Sequence, residues 1–175
     1  MKYRPQPIEG VTTFSMFDEI KRWTPSLFVA AAGFYFVANA GQYTLIDNFD
    51  LIIHEAGHAI FRLFGETICV LGGTLMQIIV PALLIVFSAS NYFQKRLQLS
   101  LVLLGQNLIN ISVYVGDAQT QKLHLLGPPG VIHDWHFLLN KYNMLDMDGE
   151  LSTIFIICAL IVFAAGIITP AFVRK

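Results

Sequence analysis

Charge is scarce in this sequence. Asp, Glu, Lys and Arg make up 13% of its 175 residues, where a soluble domain carries about 25%. Hydrophobic residues reach 55%, and the mean hydropathy is +0.59. So few charges cannot coat a soluble surface, which excludes an ordinary soluble domain and points to an integral membrane protein. The formal net charge of −1 lacks the basic footprint of a nucleic-acid binder. Cysteine is nearly absent: Cys69 and Cys158 lie far apart in apolar surroundings, so no disulfide framework or Cys-x-x-Cys site is expected. Any metal would have to be held by His and carboxylate. No apolar run directly follows the basic start Met1-Lys-Tyr-Arg, so a cleaved signal peptide is not expected. There is no internal repeat and no low-complexity segment.

Against this apolar background one stretch stands out, Asp50-Leu-Ile-Ile-His54-Glu55-Ala-Gly-His58-Ala-Ile-Phe-Arg62. It contains H-E-x-x-H. On a helix His54 and His58 stand one turn apart on the same face, where two imidazoles can grip one Zn²⁺. Glu55 sits about 100° round the helix, placed to act as general base towards an activated water. A surface helix carrying His and Glu by chance is the plain alternative. The apolar flanks weigh against it, because ionisable groups at membrane depth are costly unless paired or functional.

Several further features organise the chain. Residues 1–12 read as an extended arm, followed by a short amphipathic interfacial helix in which Phe14, Phe17, Ile20 and Trp23 recur every three residues. Together these form an N-terminal region, 1–24, ahead of a single membrane-embedded domain, 25–175. Pro25 is expected to open the first apolar span. Asp47, His54, His58 and Arg62 share one face of the next helix, which must turn towards a protein-lined cavity. The segment 65–73, with Thr67, Ile68, Val70 and the pair Gly72-Gly73, suits a short extended or re-entrant segment ending in a turn. Such an edge could hold a substrate by strand addition. Spans are expected at 74–92, with a kink at Pro81 and Gln77 facing inward, at 97–115, and at 151–172. Asn107, Asn110, Tyr114 and Asp117 form one polar stripe on the second of these. Residues 118–150 make a long polar loop holding His133-Asp134-Trp135-His136, with a short helix expected from 135 to 141. The fold class is thus an all-α membrane bundle of about four to five membrane-embedded helices. The distribution of Lys and Arg favours a cytoplasmic N-terminus. A multi-pass location in the cell or inner membrane is expected.

A catalytic zinc site normally has three protein ligands. The candidates after His58 are Glu66, Asp117, His124, His133, Asp134, His136, Asp146, Asp148 and Glu150. Asp117 leads, because it ends a membrane-embedded polar stripe on a helix expected to pack near the motif. His133 and His136 come next, as an alternative ligand, an outer partner or an oxyanion donor. A hydrogen-bonded loop clamp is their plain alternative. Phe61 and Phe64 stand where a metzincin would have Gly and His, which excludes that pattern.

H-E-A-G-H in a membrane helix, a glycine-containing segment after it, and a later membrane helix with Asn and Asp together resemble the site-2 protease class of intramembrane zinc metalloproteases. The likeness covers roughly residues 50–118. Asn110 precedes Asp117 by seven positions, Ala118 stands where that class usually has Gly, and its prolines are missing here, so the chain resembles a minimal, divergent member. The resemblance implies Zn²⁺ as cofactor, Glu55 as general base, and His54, His58 and Asp117 as ligands. In such an enzyme Asn110 or the His133–His136 cluster would position the substrate or stabilise the oxyanion, and the segment ending in Gly72 and Gly73 is the candidate substrate-binding edge. The expected partners are the bilayer and a membrane or membrane-proximal peptide substrate. The competing readings are a non-proteolytic metal-binding or accessory protein with a vestigial site, a transporter, and a hydrolase acting on a lipid or prenylated peptide. A transporter should show polar groups along a whole path, and only a clustered stripe is visible.

Overall fold

A computed structural model describes residues 16–123, 125 and 131–173. The expected arm at 1–12, Phe14, His124, Gly127-Pro-Pro-Gly130 and Arg174-Lys175 lie outside the described residues. The described chain is all-helical: α1 (Met16–Ala38), α2 (Leu45–Phe61), α3 (Glu66–Ser90), α4 (Gln94–Gly116), α5 (Asp134–Lys141) and α6 (Asp148–Phe172), with 3₁₀ turns at Arg62–Phe64 and Leu145–Met147. Three segments, Glu66–Ser90, Gln94–Gly116 and Leu145–Phe172, are long and apolar enough to cross a membrane. This is consistent with a membrane protein.

Two boundaries differ from those expected. The interfacial helix and the first apolar span are one helix, α1, which runs straight through Pro25. A proline there removes one backbone donor. In the same turn the Thr24 hydroxyl donates to the Ile20 carbonyl at 2.8 Å, and the helix continues past the proline. The second difference is larger. Residues 66–73 are not extended but helical, forming the first two turns of α3. The β-branched residues there give only a weak local preference, and packing of the Gly72-Gly73 pair against α2 overrides it.

α4 is the hub, packing on α6, α3 and α1. Several of its polar residues, Gln98, Gln106 and Asn107 among them, are buried in that packing. Gln98, 1% exposed, donates to Ser26 Oγ of α1 and to the Gly166 carbonyl of α6, each at 3.0 Å. Ser26 in turn donates to the Ile167 carbonyl at 2.8 Å. One amide thereby joins three helices where lipid offers no competing partner. Apolar packing between α4 and α6 comes from Leu108, Ile109, Ala159 and Phe163.

α2 crosses α3 at very short range. A Cβ on Gly57 would meet the Gly72 carbonyl oxygen and the Gly73 Cα, and one on Gly73 would meet the His54 imidazole. Glycine at 57, 72 and 73 is therefore what lets the motif helix approach α3 backbone to backbone. Gly72 and Gly73 lie within α3 and not in a turn, and their missing side chains make room for α2.

α5 has eight residues, too few to be stable as an isolated helix. Trp135, Leu138 and Leu139 pack it onto Ile111, Val115 and Ala118 at the end of α4. Burying three such side chains contributes several kcal/mol, at about 1.5–3 kcal/mol each. The Trp135 indole N–H also donates to Thr74 Oγ1 of α3 at 3.2 Å. Packing around Trp135 thus fixes where its neighbour Asp134 points.

Candidate metal centre

The two histidines of H-E-x-x-H project from one face of α2, with ring centroids 4.7 Å apart. Asp134 from α5 meets them: its Oδ2 lies 2.8 Å from His54 Nε2 and 3.2 Å from His58 Nε2. His54, His58 and Asp134 offer ligand atoms that all lie within 4.8 Å of one another. Burial would raise the Asp134 carboxyl, but with protons on their Nε2 atoms His54 and His58 donate to it and outweigh burial, holding the carboxyl below its ordinary value.

The other nitrogen of each ring shows which atoms face the centre. His58 Nδ1 lies 2.8 Å from the Cys69 carbonyl oxygen. A carbonyl only accepts, so Nδ1 carries the proton and neutral His58 presents a bare Nε2. His54 Nδ1 lies 3.0 Å from Gln77 Oε1, which leaves His54 Nε2 bare as well. Two nitrogen lone pairs then face one carboxylate oxygen. That grouping is stable only with positive charge between them, either a metal ion or added protons. Ligand atoms about 2.0–2.2 Å from a tetrahedral zinc sit roughly 3.3 Å apart. The 3.2 Å separation already matches this, and the 2.8 Å one needs a shift of about half an ångström. The donor set fits a divalent cation of the zinc class, with imidazole partners already held by outer acceptors.

The centre opens into a cavity of about 980 Å³ whose lining includes Glu55, Gln77, Asn110 and Tyr114 beside the three candidate ligands. Glu55 is exposed to that space. Apolar walls come from Tyr35, Phe36, Leu51, Ile109, Val113, Val131 and Ile132. Tyr114 is held between His133, stacked at 4.2 Å, and the edge of His54 at 5.8 Å. Its hydroxyl accepts from the Asp134 backbone N–H at 3.0 Å.

The leading third-ligand expectation does not match this geometry. Asp117 caps the end of α4: Oδ1 accepts from Thr120 Oγ1 at 2.6 Å and Lys122 N at 2.8 Å, and Oδ2 from Leu123 N at 2.8 Å. Burial alone would raise its carboxyl, but those three donors hold it below its ordinary value. The carboxylate fixes the chain leaving α4 and does not line the cavity. His133 does not reach the centre either. It is 2% exposed and caps α5, its Nδ1 accepting from His136 N at 3.2 Å. Burial keeps it below its ordinary pKa, outweighing Asp117, and Asp117 Oδ2 is 3.7 Å away. His136 Nδ1 lies 2.8 Å from the Ala118 carbonyl, so His136 clamps the loop and is not available to a substrate in the cavity. Asn110 does line the cavity, but both ends of its amide are engaged, with Gln77 and with Asp47.

Of the residues singled out from sequence, the structure therefore brings together His54, Glu55, His58 and Asn110. It substitutes Asp134 for Asp117 beside the histidines. Asp134 stood among the wider candidates, and its signal was the neighbouring tryptophan: a carboxylate next to a large apolar anchor can be placed rigidly. Compared with known protein families, characterised proteins and solved structures, the chain matches none.

Proposed function

We propose that this protein is a membrane metal-dependent hydrolase that cleaves a peptide bond within or beside the bilayer. His54, His58 and Asp134 would hold a zinc ion, and Glu55 would be the general base. The observation that carries this reading is the convergence of two imidazole Nε2 atoms on one carboxylate oxygen in a cavity that Glu55 also lines. A divalent cation held there supplies Lewis-acid polarisation of a carbonyl and makes water more acidic. The chain's own groups do the rest. Glu55 accepts the proton of the attacking water and delivers it to the leaving amine. The apolar walls hold the side chains flanking the scissile bond and keep bulk water out. A cavity lined in part by α3 and α4, both long and apolar enough to cross a membrane, suits a substrate that is itself membrane-embedded or membrane-proximal.

Replacing Glu55 separates chemistry from metal binding. In proteoliposomes challenged with a mixture of transmembrane peptides, new termini are read by mass spectrometry. Glu55→Gln is expected to lower turnover by about 10²–10⁴-fold, the usual contribution of a general base, with metal content unchanged. Undiminished cleavage by the metal-loaded variant would refute the assignment.

A further inference from the structure

His54 sits at the buried end of a hydrogen-bond chain that crosses three helices and becomes half-buried towards Asn110 and Asp47. Its Nδ1 faces Gln77 Oε1 of α3 at 3.0 Å. Gln77 Nε2 donates to Asn110 Oδ1 of α4 at 3.0 Å. Asn110 Nδ2 donates to Asp47 Oδ1 at 2.9 Å, back on α2. The other Asp47 oxygen accepts from both the backbone N–H and the hydroxyl of Thr44.

Such a chain of amides has two self-consistent directions. In one, each amide presents its NH₂ towards Asp47 and its carbonyl towards His54, so His54 is protonated on Nδ1 and bare on Nε2. With both amides reversed, His54 would meet an NH₂ group and carry its proton on Nε2, the atom facing the candidate ligands. An ionised carboxylate has acceptors only, so it excludes the second direction. Gln77 is 2% and His54 8% exposed. Water is therefore poorly placed to satisfy the wrong orientation at the His54–Gln77 link, while Asn110 and Asp47 are half-buried.

We propose that Asp47 sets the ligating tautomer of His54 from three hydrogen bonds away, with Asn110 and Gln77 as the relay. Asp47, Asn110 and Gln77 are positioning residues. This inference builds on the metal-centre reading for its affinity test, and on geometry alone for its spectroscopic one.

Zn²⁺ is the probe, with affinity measured by chelator competition on the full chain in detergent. Gln77→Leu removes the acceptor and is expected to weaken binding about 10–100-fold, as loss of an outer partner does. Asp47→Asn keeps the shape and can still cap Thr44, but it permits the reversed direction, and a loss of about tenfold is expected. Gln77→Glu places an acceptor-only group directly against His54 but gives up the donor to Asn110 Oδ1, and adding Asp47→Asn lets Asn110 turn its NH₂ towards the new carboxylate. Affinity should be no weaker than the wild type in Gln77→Glu, and adding Asp47→Asn should not lower it. A merely structural role for Asp47 would give the same loss in both backgrounds, and that result would overturn the relay, as would wild-type affinity in Asp47→Asn. The second readout is the His54 Nδ1–H resonance in ¹⁵N-histidine-labelled protein. It should be slow to exchange in the wild type, with or without Zn²⁺, and lost in Asp47→Asn. Failure of the wild type to bind Zn²⁺ would count against the metal centre, whereas absence of that protected resonance would count against the relay.

Discussion

Asp134→Ala is expected to abolish stoichiometric metal binding, while Asp117→Asn leaves it intact. The two carboxylates lie at opposite ends of the same loop, and each has polar partners at close range, yet they do different work. Asp134 Oδ2 is the oxygen on which both imidazoles converge. Removing it leaves two neutral ligands and takes away the negative charge that favours a dication. The loss should exceed the roughly 10–100-fold that an outer partner commands. Asp117 spends its oxygens on Thr120, Lys122 and Leu123. Asparagine there keeps one acceptor and should lower stability by about 1–3 kcal/mol through the donors left unmatched, with metal affinity within a few-fold of the wild type. Equilibrium dialysis against Zn²⁺, with thermal unfolding of the same samples, checks both halves. Equal metal loss in the two variants would mean that the loop, and not the carboxylate, makes the site.

Gly73→Ala is expected to be the most damaging single-methyl change for the metal centre. An added Cβ would overlap the His54 ring at Cε1 and Nε2. The ring cannot swing aside, because its Nδ1 is tied to Gln77 and its edge rests on Tyr114. Metal affinity should fall by at least about a hundredfold, a displacement of the ligand itself and not of its support. Gly57→Ala makes the useful contrast. There the new methyl meets the Gly72 backbone, so the α2–α3 crossing must open as a whole. Overpacking of this kind costs about 1–3 kcal/mol or more and should appear as a fall in unfolding temperature. Gly73→Ala should show metal loss with a smaller fall in stability, and a ranking in the opposite order would refute this division of roles.

How legible was the molecule? The apolar spans and the His54–Glu55–His58 constellation follow from composition and helical spacing, both local properties, and α3, α4 and α6 carry the expected spans. The glycine pair misled because Gly72-Gly73 signals either a turn or a close helix crossing, and only the position of Gly57 on a neighbouring helix decides which. The stripe on α4 was visible as a stripe, but its members separate in space: Asn110 bonds to Gln77 and Asp47, Tyr114 to Asp134, and Asp117 to the following loop. A third ligand contributed 76 residues downstream of His58 depends on how α5 docks, through Trp135, onto α3 and α4. That is a tertiary fact which spacing along the chain does not encode. Asp47 and Gln77 were placed on the right faces from sequence, yet their shared purpose needs the direction of each hydrogen bond.

The central claim is that His54, His58 and Asp134 form one metal centre. X-ray absorption at the zinc edge of the purified, zinc-loaded full chain tests it most directly. The predicted result is one ion per chain with two imidazole nitrogens at about 2.0–2.1 Å and a carboxylate oxygen at about 2.0–2.2 Å, the oxygen shell changing in Asp134→Ala and not in Asp117→Asn. A shell without imidazole scattering, or one that responds to Asp117→Asn and ignores Asp134→Ala, would contradict it.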